Sequence, residues 1–208
     1  MQQAITVEAL GHLLAETAPT TRQIIALAGP PGAGKSTVAA QLEASLNAIH
    51  PGAAAILPMD GYHLDDLVLL PRGLRPSKGA PETFDVAGFA HMLDRLRVNQ
   101  EPEIAVPVFD RDLEIARAGA RMIGQSVRYV IAEGNYLLLD RAPWNTLKFD
   151  TTVMISADPA RLRQRLVDRW RGHNLSPSQI TSKVEGNDMV NVTEVLTKSR
   201  PSRWLVNT

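Results

Sequence analysis

The 208-residue chain contains no cysteine, which excludes disulfides, zinc–thiolate sites and thiol catalysis. It has no charge imbalance either. Lys and Arg number 22 and Asp and Glu number 22, whereas a general nucleic-acid binder carries a basic excess. Any basic patch must therefore be local, and no nucleic-acid partner is expected. No apolar run approaches the ~18 residues that a spanning helix needs. The stretch MQQAITVEALGHLLAETAPTTRQ has no basic segment followed by an unbroken apolar run. No membrane partner is expected, and a cytoplasmic location is. Internal repeats and low-complexity tracts are also missing.

What is present is an ordinary globular composition, with 44% hydrophobic and 21% charged residues. The length suits one domain over residues 1–208, large enough to bury a core. Ile5, Val7, Leu10, Leu13 and Leu14 share a helical face, so residues 5–17 are expected to form a helix within an N-terminal segment 1–19 ended by Pro19. QIIALAG, AAAILPMD, RYVIAEG and DTTVMIS are short apolar runs without clean alternation, the signature of strands buried on both faces. Amphipathic stretches alternate with them: KSTVAAQLEASLNA, FDVAGFAHMLDRLRVN with Asp85 as its N-cap, DPARLRQRLVDRWRG and VNVTEVLTKSRP. EIAVPVFDRD reads as extended, one arm of a hairpin, and RWLV as an edge strand. The pattern predicts a doubly wound α/β fold, a mostly parallel sheet flanked by helices. Two Pro-, Gly- or polar-rich segments, 69–84 and 171–188, read as covering loops.

Gly29-Pro30-Pro31-Gly32-Ala33-Gly34-Lys35-Ser36 matches the phosphate-loop pattern, between a predicted strand and a predicted helix. Glycines let the backbone curl so that several N–H groups meet one anion, and the helix start adds its positive end. Lys35 is expected to reach the β- and γ-phosphates, the Ser36 hydroxyl to bind Mg²⁺, and Thr37 to contact the α-phosphate. Glu133 and Asp60 each end a predicted strand and should emerge beside the loop. Glu133 is assigned to the Mg²⁺ shell, with a solvated turn acid as the alternative. Asp60 is expected one strand over from the loop, as a base toward an attacking hydroxyl or as the N-cap of HLDDLVLL, or both.

Water is not the expected phosphate acceptor. Nothing matches the guanine-reading NKxD pattern, and DVAG at 85–88 is a helix start. GPPGAGKST, MDGYHLDD, KGAPETFD, VPVFDRDLE, VIAEGNYLLL and NDMVNVTEV occur in that order. Together they resemble the phosphate-loop kinase group of uridine kinase, phosphoribulokinase and bacterial pantothenate kinase. In particular the chain resembles small bacterial proteins labelled nucleoside/nucleotide-kinase-like or fructose transport system kinase. The resemblance spans most of residues 22–206. It implies a P-loop NTPase fold with a helical lid over 158–188, ATP, Mg²⁺, transfer to a small-molecule hydroxyl, and Asp60 as catalytic base. It also implies a homodimer. Substrate does not carry over, because the acceptor-reading segments of those relatives do not match.

Arg161, Arg165 and Arg169 form one stripe of the helix that starts after Asp158, while Leu162, Leu166 and Trp170 form the stripe that packs inward. Arg165 and Arg169 are assigned to the transferring phosphate, with Arg171 a third candidate and a solvated helix face the alternative. Tyr62, His63 and Arg111 are assigned to the acceptor, with Arg72, Lys78 and Phe109 as further candidates. Arg111 either binds a carboxylate or phosphate of the acceptor or pairs with Asp110 or Asp112. Asn187 and Asn191 either orient the nucleotide base or cap a helix. The expected acceptor is a sugar first, a nucleoside second and a pantothenate-like acid third. The rival reading is a nucleotide-binding regulatory module without transfer.

Overall fold

A computed structural model describes residues 2–17, 19–172 and 175–208. Met1 and Ala18 of the N-terminal segment, and His173 and Asn174 of the expected cover, lie outside the described residues. In chain order the elements are β1 (Gln3–Ala4), α1 (Val7–Thr17), β2 (Gln23–Ala28), α2 (Lys35–Ile49), β3 (Ala54–Pro58), α3 (Asp66–Leu69) and α4 (Val86–Val98). They continue with β4 (Glu103–Asp110), β5 (Ile115–Gly124), β6 (Tyr129–Gly134), β7 (Thr151–Ser156), α5 (Pro159–Arg171), α6 (Pro177–Lys183), α7 (Met189–Lys198) and β8 (Trp204–Asn207).

Six strands form one parallel sheet in the order β1-β8-β7-β2-β6-β3. Its central strands β2 and β6 are largely apolar because both faces are covered. Ile24, Ala26, Val130 and Ala132 enter one core with Phe89, Leu93 and Leu96 of α4. Their sequence neighbours Ile25, Leu27, Tyr129 and Ile131 enter the other, with Leu10, Leu42, Leu162 and Leu166 of α1, α2 and α5. Each fully buried Val, Leu, Ile or Phe among them contributes roughly 1.5–3 kcal/mol. The doubly wound α/β expectation therefore holds.

Three expectations need correction. RWLV is not at the sheet edge, because β1 pairs outside β8. Two-residue β1 was invisible to periodicity. Residues 171–188 are not a plain loop. α6 is started by a capping box between Ser176 and Gln179 with Pro177 in its first turn, and a π-helical turn over Val184–Asp188 leads into α7. Asp60 is not one strand over from the phosphate loop. It follows β3, which pairs with β6, and β6 in turn pairs with β2.

β4 and β5 form an antiparallel hairpin outside the main sheet, with a register shift at Pro107. The second arm escaped the sequence reading because most of its side chains are exposed. Buried Arg22 anchors the hairpin's base, donating to the carbonyls of Leu96, Gly124 and Val127.

Candidate active site

The loop between β2 and α2 is bent by Gly32 and Gly34, whose φ angles of 80° and 81° lie in the left-handed region that glycine adopts without strain. Ala33 N–H donates to Pro30 O (3.1 Å) and tightens the curl. Gly29, Pro30 and Ala33 supply backbone, while Pro31, Gly32, Gly34, Lys35, Ser36 and Thr37 line a cavity of about 240 Å³. Lys35 is buried, and its Nζ donates to Pro30 O (3.0 Å) and Asn135 Oδ1 (2.6 Å). Burial pulls its pKa down to about 8, against the opposing pull of Glu133 and Asp60. Asn135 was missed in the sequence. The available signal was proximity alone, since Asn135 follows Glu133 by two residues, just past the end of β6.

β2, β6 and β3 are in register so that Glu133 lies opposite Leu27 on one side and Pro58 on the other. Glu133 is thereby carried to the mouth of the loop. The Ser36 hydroxyl is 3.4 Å from each of its carboxylate oxygens. Burial, then the neighbouring Asp60, pushes the Glu133 pKa up, while Lys35 and Arg111 pull it the other way. A hydroxyl and a buried carboxylate at this spacing offer hard oxygen donors, which fit Mg²⁺ held jointly by protein and phosphate oxygens. Among the described residues there is no cluster of three acidic, histidine or cysteine side chains that would hold a metal by itself.

Asp60 sits in a 3₁₀ turn after β3 and caps no helix. Asp65 caps α3, accepting from Leu67 N–H. Arg111, near the hairpin tip, reaches back and donates from Nη2 to Asp60 Oδ2 (2.7 Å). Neither sequence expectation for Arg111 named this partner. Asp110 instead pairs with Arg117 and accepts from the Asp112 and Leu113 amides.

A second cavity of about 360 Å³ opens beyond Asp60. It shares Pro31, Asp60, Arg111, Asn135 and Arg169 with the phosphate-loop cavity, so the two spaces meet at these residues. His63 lines its wall, stacked on Phe84 (4.1 Å between centroids) and edge-on to Phe109 (4.7 Å). Burial, reinforced by Lys78, Arg111 and Arg169, lowers its pKa to about 4 despite Asp60, and the ring is neutral at physiological pH. Lys78 also lines this space, bound to Asp66 Oδ1 (2.9 Å) and Glu114 O (2.7 Å).

Several assigned residues lie elsewhere. Tyr62 does not face the second cavity. It is buried edge-on against Phe89 in the core, with its hydroxyl pKa pushed up by burial. A one-residue step on the 3₁₀ turn sends Tyr62 inward and His63 to the cavity. Arg72 is exposed outside both cavities. Arg165 lines neither cavity. Its Nη1 donates to Gly32 O (3.1 Å) and Thr208 Oγ1 (3.0 Å). Arg171 pairs with Asp168. Arg169 alone of the stripe lines both cavities, its pKa lowered by burial of the guanidinium and by Arg111. Asn187 and Asn191 cap no helix. Asn191 Nδ2 donates to Asn187 Oδ1, and Asn187 Nδ2 donates to Lys78 O, both at 3.2 Å, tying the turn before α7 to the 69–84 segment. Trp170 is only partly buried and donates to Asp188 Oδ2 (2.6 Å).

Among the described residues no helix is long and apolar enough to cross a membrane. No protein-family model matches the chain. It is 36% identical over 196 residues to "Uncharacterized protein YggC" of Escherichia coli (strain K12), covering 90% of this chain and 78% of that one. It is 31% identical over 183 residues to "Putative uridine kinase C227.14" of Schizosaccharomyces pombe, covering 84% and 78%. Among solved structures, the "putative fructose transport system kinase from Silicibacter sp. TM1040" superposes with a TM-score of 0.89 at 39% identity, over 97% of this chain and 99% of that one.

Proposed function

The chain belongs to the phosphate-loop kinases of the uridine kinase and pantothenate kinase group, and on that premise we propose that it moves the γ-phosphate of ATP to a hydroxyl of a small metabolite. It is a small-molecule phosphotransferase. The observation that carries the finer reading is the meeting of the two cavities at Asp60, Arg111, Asn135 and Arg169. A phosphate on one side and a hydroxyl on the other would face each other there.

In this reading Lys35 and the loop amides hold the β- and γ-phosphates. Ser36 and Glu133 would hold Mg²⁺, which when bound neutralises charge on the phosphate oxygens. Asp60 accepts a hydrogen bond from the acceptor hydroxyl and aligns its oxygen. The transition state is loose, so alignment matters more than a raised carboxyl pKa. Arg111 occupies Asp60 in the free chain. An entering hydroxyl would take over that carboxylate and release the guanidinium toward the transferring group. Arg169, present in both cavities, spreads planar donors over that group's charge.

For the acceptor, a fructose-like sugar comes first. A space of about 360 Å³ lined by hydrogen-bonding ends such as Asp60, Arg111, Asn135 and Asn191 suits several hydroxyls. A hydroxy acid is the second reading. Arg75, Lys78, Arg111, Arg169 and Lys183 face that space against Asp60, Glu114 and Asp188. This partner is a small molecule rather than nucleic acid or membrane, the setting is cytoplasmic, and the homodimer of the resembled kinases belongs to the same proposal.

The test is ADP release from ATP and Mg²⁺ across sugars, nucleosides and hydroxy acids, with Asp60→Asn run in parallel. One acceptor should stimulate the wild type strongly, and Asp60→Asn should lose that stimulation by ~10²-fold or more. Equal ADP release by both proteins with every acceptor would count against the base role and favour a nucleotide-binding module.

A further inference from the structure

We propose that Thr208 is a positioning residue of the nucleotide site, bracing the phosphate loop together with Arg165 from the side away from the cavity. The inference rests on the reading of this loop as the cradle for ATP phosphates.

Thr208 follows β8, and its N–H donates to Ser156 O (2.9 Å) at the end of β7, so the sheet fixes its backbone. Its hydroxyl donates to Ala33 O (3.0 Å). Arg165 Nη1 donates both to that same hydroxyl (3.0 Å) and to Gly32 O (3.1 Å). Arg161 Nη1 donates to Thr208 O (2.9 Å). A hydroxyl has one proton to give. With Arg165 supplying a donor to the oxygen, that proton is directed at Ala33 O, and the linked bonds polarise one another.

The consequence for the loop follows from peptide geometry. In a planar trans peptide, C=O and N–H point in opposite directions. Pinning Ala33 O toward Thr208 therefore turns the Gly34 N–H away from it. Gly34 lines the phosphate-loop cavity, and its N–H has no protein acceptor among the described residues. Gly34 has the backbone freedom to let this peptide rotate, so the loop's own sequence does not fix the amide's direction. The Thr208 hydroxyl does. Arg165 adds the second hold at Gly32 O, and its place in the helical arginine stripe is explained by this brace.

The experiment uses the full chain and ATP with Mg²⁺ as the probe, since the acceptor is unidentified. Binding is measured by calorimetry for wild type, Thr208→Val, Thr208→Ser and Arg165→Met, with unfolding midpoints taken without nucleotide. Thr208→Val keeps shape and removes the hydroxyl, and it should weaken ATP about tenfold. Thr208→Ser should restore affinity to within about twofold, because the hydroxyl is retained. Arg165→Met should weaken ATP in the same direction, which keeps the test decisive should Thr208→Val fail to fold. Wild-type affinity in Thr208→Val, or failure of Thr208→Ser to restore it while its midpoint is unchanged, would overturn the brace alone. A wild-type chain that takes up no ATP would overturn the kinase reading and the brace with it.

Discussion

At the scale of single residues, Lys35 answers two opposing demands. Burial beside the loop disfavours its charge, yet phosphate binding requires that charge. Its pKa near 8 in the free protein is the compromise, with burial the larger influence and Glu133 and Asp60 pulling the other way. The sign of the pH effect follows. Below about pH 8 the ammonium is present to meet phosphate, and above it the free protein loses that cation. We expect kcat/KM for ATP, which reports the free protein, to fall as pH rises from 8 to 9.5. Bound phosphates favour the ammonium, so kcat should hold to higher pH. A pH profile of both constants checks this, and a flat kcat/KM up to pH 9.5 would contradict it. Lys35 and Ser36 were legible in the sequence because their motif is contiguous. Arg111 was only half legible. Its partner Asp60 is 51 residues away, and nearer carboxylates at Asp110 and Asp112 offered an easier local answer.

At the scale of elements, the hairpin is what turns an open sheet edge into a walled cavity. It is seated by a close approach: a Cβ on Gly61 would collide with the Pro107 carbonyl. Pro107 sits at the register shift, where a residue without an N–H interrupts no ladder bond. The fit joins the Asp60 turn to the strand that leads to Arg111. Gly61→Ala should therefore push the hairpin away and cost about 1–3 kcal/mol of stability. Its KM for the acceptor should rise more than its KM for ATP, since the phosphate loop lies on other elements. Unfolding midpoints and the two KM values check this, and equal change in both KM values would argue against a hairpin role confined to the acceptor side. α6 illustrates an element that the sequence did announce. Ser176, Pro177 and Gln179 carry a helix-start signature that the loop reading passed over.

At the scale of the whole molecule, function depends on strand order. β6 lies between β2 and β3, so Glu133 and Asn135 stand between the loop and Asp60. A ligand bound here would touch residues far apart in the chain, from Lys35 to Arg169, and should stabilise the entire fold. ATP with Mg²⁺ at about 100 times its Kd should add about 2.7 kcal/mol to unfolding. That corresponds to roughly 5–10 °C in Tm for a chain of this size. Scanning calorimetry reads it directly, and Lys35→Met should show little of the shift. The α/β class, the phosphate loop, and the acids at or just past the ends of β6 and β3 were determined by sequence alone. Each depends on neighbours within a few residues, where periodicity, glycine and capping act. The order of the strands, the inward turn of Tyr62 beside the cavity-facing His63, the Arg111–Asp60 pair and the place of Thr208 behind the loop were decided only by tertiary structure. They depend on which distant segments pack together, and burial over the whole sheet, rather than any local preference, selects that packing.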